Sequence, residues 1–133
     1  IRLSLVGSEM CIRDRLSGVL DEIEASDDFE DHSRLDHAFH MTISEVAGND
    51  ALTSLIDVLR SRSRAYRIPD AGDAAELKLH SDAGHRAILR GLAAADPVAA
   101  SAAASAHVAQ TEYWVRRYTE TDIVAEGSAV EPD

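Results

Sequence analysis

From Leu16 to Tyr118 the apolar residues recur at three- and four-residue spacing, and no stretch alternates in the two-residue rhythm of a strand. That periodicity restricts the chain to helices that bury one stripe each, and punctuation residues divide it into pieces. Leu16, Val19, Leu20 and Ile23 share one face of a short segment ending near Ala25. Ser26 or Asp27 can cap a second helix running to about Ala47, where Gly48 stops it. Asn49 or Asp50 restarts a helix with Leu52, Leu55, Ile56 and Leu59 on one face, reaching about Tyr66. Residues 69–72 read as a loop. Asp73 and Glu76 have capping-box spacing for a fourth helix to about Ala94. Asp96-Pro97, a capping carboxylate before a proline at the first helical position, opens an alanine-rich last helix to about Thr119. The expected class is an all-α helical bundle.

With 133 residues the chain is long enough for one domain with a genuine core. Its 24 acidic and 13 basic residues give a formal charge of −11, which argues against nucleic-acid binding by this segment. No apolar run is long enough to span a bilayer. The single cysteine, Cys11, excludes an internal disulfide framework and suits a reducing cytoplasm. Residues 1–15 could pass for a short strand, a turn and a helix start. They resemble translated sequencing-adapter read-through and are set aside as a non-native segment. The domain proper is expected over residues 16–120, with a disordered acidic tail over 121–133.

Placing residues at about 100° per step sorts the six histidines. On the second helix, Leu35, Phe39, Ile43 and Val46 form the buried stripe, with Asp36 and His40 along its edge, one turn apart. On the fourth, His85 falls near the middle of the stripe of Leu77, Ile88, Leu89 and Leu92. On the last, His107 is centred on the face of Ala100, Ala103, Ala104, Trp114 and Tyr118. His32 leans inward as the rival ligand, and His37 and His80 point to solvent. Buried carboxylates and imidazoles are costly without partners, so Asp36, His40, His85 and His107 are most economically read as one metal site. One carboxylate and three neutral imidazoles suit a divalent ion such as Zn²⁺ or Ni²⁺.

These residues also carry a resemblance. Asp36-His37-Ala38-Phe39-His40, Ala47-Gly48-Asn49, His85-Arg86-Ala87-Ile88-Leu89, Ala95-Asp96-Pro97-Val98-Ala99-Ala100 and His107-Val108, in that order, are similar to the C-terminal effector-binding (FCD) domain of GntR-type transcriptional regulators, FadR subfamily. The resemblance implies an antiparallel bundle around a cavity, in which Asp36, His40, His85 and His107 hold the metal and a small organic acid completes its shell. It also implies a homodimer that reads DNA through a winged-helix domain absent from this chain. The bundle's first helix, which often brings an arginine to the effector, is expected to be missing, and Gly84 stands where relatives often have a glutamate.

The expected function is therefore metal-dependent sensing of a small carboxylate rather than catalysis. Arg60, Arg64 and Arg67, following the Leu52–Leu59 stripe, are candidates to reach the anion. Two rivals stand beside it. One is a helical metal-dependent hydrolase, for which Glu45 is the available general base. The other is a metal-free helical interaction module in which the histidines merely pack.

Overall fold

In the computed structural model the backbone is described for residues 2–63 and 71–127, and side chains for 12–61 and 72–117. Those residues form five helices and no strand: α1 (Arg2–Ala25), α2 (Phe29–Val46), α3 (Asp50–Ser63), α4 (Ala71–Ala93) and α5 (Pro97–Gly127). Backbones approach within 8 Å between α1 and α2, α2 and α3, α4 and α5, and α1 and α4. The molecule is thus an α1–α2–α3 unit and an α4–α5 hairpin, joined along α1 and α4.

Leu16, Leu20 and Ile23, at helical spacing on α1, meet Leu35 and Phe39 of α2 in a core where none is more than 7% exposed. Each such side chain contributes about 1.5–3 kcal/mol by leaving water. Ile12, Val19, Ile43 and Leu89 pack against the cluster. α1 runs without a break from Arg2 through Arg15, so over residues 2–15 the strand-and-turn alternative is corrected to helix. Its reason is local: Ile12, Leu16 and Leu20 continue one stripe. Cys11 lies outside the residues whose side chains are described.

Most helix ends follow the sequence signals. Gly48 takes a left-handed φ of 66° after α2, a conformation cheap only for glycine. Asn49 Oδ1 accepts the Leu52 N–H to open α3. Asp96 Oδ1 accepts the N–H groups of Val98 and Ala99 at 3.0 and 2.9 Å, as an aspartate before Pro97 should. Asp28, rather than Ser26 or Asp27, caps α2 by accepting the Asp31 N–H at 2.9 Å. α4 starts at Ala71, ahead of the expected Asp73 box, and Asp73 instead pairs with Arg117 of α5 at 3.5 Å. α5 stays helical to Gly127, beyond the expected end near Thr119 and into the stretch expected as a disordered tail. No glycine or proline interrupts it between Pro97 and Gly127.

The α3 stripe is the main departure in packing. Leu52, Leu55 and Leu59 are 41%, 55% and 58% exposed, because α3 lies only against α2 among the described residues. Val46 and Leu92, assigned to buried stripes, are also exposed. No helix among the described residues is long and apolar enough to cross a membrane.

Candidate metal centre

His40 comes from α2, His85 from α4 and His107 from α5, so the site lies where the two parts of the fold face each other. Each ring offers one nitrogen to a set whose atoms all lie within 4.8 Å of one another. His85 Nε2 and His40 Nε2 are 3.2 Å apart. The His40 and His107 rings stack, with centroids 5.3 Å apart and planes 22° apart, and His85 closes on His107 at 4.5 Å. Phe39 lies against His85 at 4.7 Å and edge-on to His40, giving the cluster an apolar floor. His85 is fully buried and His107 is 6% exposed.

Asp36 stands beside this trio rather than within it. Its Oδ1 lies 3.0 Å from His85 Nε2 and 3.6 Å from His40 Nε2. Its Oδ2 is engaged by the Arg60 guanidinium of α3, and both side chains are largely buried. Arg60 thus reaches the site, whereas Arg64 and Arg67 lie outside the described residues. Glu45 is exposed, its carboxylate 4.0 Å from Arg15.

The electrostatics keep the rings neutral. Burial pushes His40 down to about 4. Burial, then His40 and Arg60, push His85 down to about 3 against a weaker upward pull from Asp82. Burial, then His85, His40 and Arg60, do the same to His107, also to about 3. At neutral pH each ring therefore has a lone pair available. Two facing Nε2 lone pairs repel unless a proton or a cation lies between them, and the Nδ1 atoms of His85 and His107 are buried without a hydrogen-bond partner. Neutral imidazoles converging on one point, with their far nitrogens protonated, are the donor set a divalent ion takes. The residues fit such an ion.

The other histidines separate from this group. His32 sits beside Asp82 and Lys78, near the end of α1, and is lowered by burial despite Asp82. His37 is not solvated as expected: its Nε2 lies 3.2 Å from Asp57 Oδ1 and ties α2 to α3. His80 is half exposed beside Glu76, as its phase on the helix indicates.

The spatial roles of three further residues, Gly84, Lys78 and Asp82, were not foreseen. Gly84 lies so close to His107 that a Cβ there would meet the ring's Nδ1 at 2.6 Å. Lys78 donates to the Ile23 and Glu24 carbonyls at the end of α1, at 3.1 and 3.3 Å, and pairs with Asp82 at 2.7 Å. The Lys78–Asp82 spacing of four was legible as a helix pair. That α1 would end over it was not. Two surface depressions, one along Ala104, Val108 and Glu112 and one at the α1–α2 turn, do not include the three histidines.

No curated protein and no solved structure shows significant similarity to the chain. The model of one protein family, the FCD domain, matches residues 12–110. That span takes in α2, α3 and α4 whole and includes Asp36 and all three converging histidines. The chain therefore belongs to the FCD domain family, the C-terminal effector-binding domain of GntR-type transcriptional regulators.

Proposed function

We propose that this domain senses a small organic acid through a divalent ion, Zn²⁺ or Ni²⁺, held by His40, His85 and His107 with Asp36 beside them. The observation that carries this reading is the convergence on one point of three neutral imidazoles from three helices, His85 and His107 buried and His40 partly so. An ion bound there supplies a concentrated positive charge in surroundings where charge is poorly screened. An anion needs such a centre, because the chain as a whole carries −11. Arg60 is the second cation at the site, and its pairing with Asp36 sets it at the edge of the cluster. Arg64 and Arg67, farther along the sequence, belong to the same proposal. The protein would act in the cytoplasm as a homodimer, with DNA contacted by a separate domain.

The sensing reading is preferred to hydrolysis because Glu45, the candidate base, is exposed to solvent beside Arg15 of α1. Melting in excess chelator, then with Zn²⁺ or Ni²⁺ restored, tests the metal. Calorimetry of loaded and stripped protein against mono- and dicarboxylates and sugar acids tests the ligand. The expected result is a lower melting temperature without metal, and acid binding that requires it. An unchanged melting curve after confirmed metal removal would refute the metal, and turnover of the bound acid would favour the enzyme.

A further inference from the structure

His85 presents Nε2 to the cluster, so its proton must reside on Nδ1 whenever Nε2 is to ligate. That Nδ1 is buried and has no hydrogen-bond partner. One turn earlier on α4, Asp82 carries an oxygen in the same condition: Oδ1 is buried and unpartnered, while the side chain as a whole is 14% exposed. Orphaned buried donors and acceptors are costly, so two of complementary kind on adjacent turns are strongly driven to meet.

The geometry favours that meeting. Side chains three residues apart on a helix are neighbours, and helical side chains lean toward the N-terminus, so the His85 ring lies back over the turn that holds Asp82. The other oxygen of Asp82, Oδ2, is fixed by Lys78 Nζ at 2.7 Å. Lys78 is itself anchored by the Ile23 and Glu24 carbonyls at the end of α1. The carboxylate is thus gripped from behind, with Oδ1 left to serve a donor. Its negative charge is felt at the His85 ring, where it opposes the effects of burial, His40 and Arg60. A metal-ligating histidine usually donates its other N–H to such a carboxylate, which fixes the tautomer and raises ligand basicity.

We propose that Asp82 is the positioning residue for His85: its Oδ1 accepts the Nδ1–H and holds Nε2 toward His40 and Asp36. The inference rests on the metal-centre reading above, and extends the site by a chain running from the end of α1 through Lys78 and Asp82 to His85. His32 is the competing donor, since its Nδ1 is also buried without a partner and Asp82 acts on it too.

The test uses the full chain and two measurements. Nitrogen-15 spectra of the histidine rings at pH 7, taken with saturating Zn²⁺, report which nitrogen of each ring is protonated and whether each Nδ1–H is hydrogen-bonded. Calorimetry with Zn²⁺ or Ni²⁺ alone reports affinity. In the zinc-loaded wild-type chain His85 should bind through Nε2 and carry a hydrogen-bonded proton on Nδ1. Asp82→Ala should abolish that signature and weaken metal binding roughly 10–100-fold. Asp82→Asn, which keeps shape and an acceptor oxygen without the charge, should fall between the two and decides the matter if the alanine variant does not fold. Unchanged His85 signals and unchanged affinity in Asp82→Asn would overturn the proposal, as would a change confined to His32. If wild-type protein binds neither metal, the metal-centre reading fails and this proposal with it; metal bound with the His85 Nδ1–H not hydrogen-bonded overturns this proposal alone.

Discussion

Replacing Gly84 by alanine adds one methyl group at the point where α4 meets the His107 ring. Built on the present backbone, the new Cβ would lie 2.6 Å from Nδ1, 3.2 Å from Cγ and 3.4 Å from Cβ of His107. Comfortable carbon contacts lie at about 3.5–4.0 Å, so the methyl intrudes on the ring by about 1 Å. The ring has little room to retreat, with His85 4.5 Å and His40 5.3 Å away. Overpacking of this kind costs about 1–3 kcal/mol, against about 1 kcal/mol that alanine returns in helix propensity. Gly18 supplies the control. It also lies inside a helix, but nothing stands within 4 Å of its Cβ position. Gly18→Ala should stabilise by about 0.5–1 kcal/mol, and the difference between the two variants isolates the clash. Gly91→Ala is the severe case, since its Cβ would lie 2.6 Å from the backbone nitrogen of Ala100, which cannot rotate aside. Urea unfolding of metal-free protein measures all three. Zinc calorimetry should show at least a roughly tenfold loss for Gly84→Ala and none for Gly18→Ala, in line with a displaced ligand. Equal stabilisation by both changes would refute the close approach of α5 to α4 at this turn.

Acid should destabilise the metal-free protein well before its carboxylates titrate. His40, His85 and His107 are lowered to about 4, 3 and 3 when folded, so the unfolded chain binds the extra protons below about 6.5. Stability is therefore fully present above that value and is lost as pH falls toward 4. Each ring costs about 1.4 kcal/mol per pH unit in that window, and denaturant titrations at pH 7.0, 6.0 and 5.5 read the slope. A flat profile would mean that the rings are not buried as neutral groups. A separate prediction concerns Ala95, which ends α4 at a φ of 51° while the Asp96 and Ala95 N–H groups bond the Gly91 and Leu92 carbonyls. Glycine is the residue for that position, so Ala95→Gly should raise stability by up to about 1 kcal/mol in thermal melts, and a loss would contradict the left-handed turn.

How much of this was legible depends on the range of the interaction concerned. Gly48, Asn49 and the Asp96-Pro97 pair act on backbone groups a few residues away, and each ends or starts a helix where its chemistry indicates. Asp73 looked like an equivalent signal, but a partner on α5 claims its carboxylate and α4 begins ahead of it. The inward phase of His40, His85 and His107 was readable because each lies on its own helix's apolar side. Their mutual distances were not, since these depend on how three helices are set. The same limit hid the pairing of Arg60 with Asp36, the anchoring of Lys78 and the space left by Gly84. In α3, periodicity identified the apolar face of Leu52, Leu55 and Leu59, but it carries no information about which neighbour covers that face.

The placement of the histidines between α2 and the α4–α5 hairpin has a kinetic consequence. No backbone of α2 comes within 8 Å of α4 or α5 among the described residues, so these elements meet through side chains, with Phe39 and His40 on one bank and His85 and His107 on the other. Each helical hairpin is a local, low-contact-order unit that can assemble by itself. The seam between them requires both to be in place. A ligand that grips all three rings therefore acts as a rivet across a late-forming joint, with its effect on the rate of opening rather than of assembly. Occupancy would lengthen the lifetime of the closed molecule, and amide exchange in α2 facing the seam would slow in step with it.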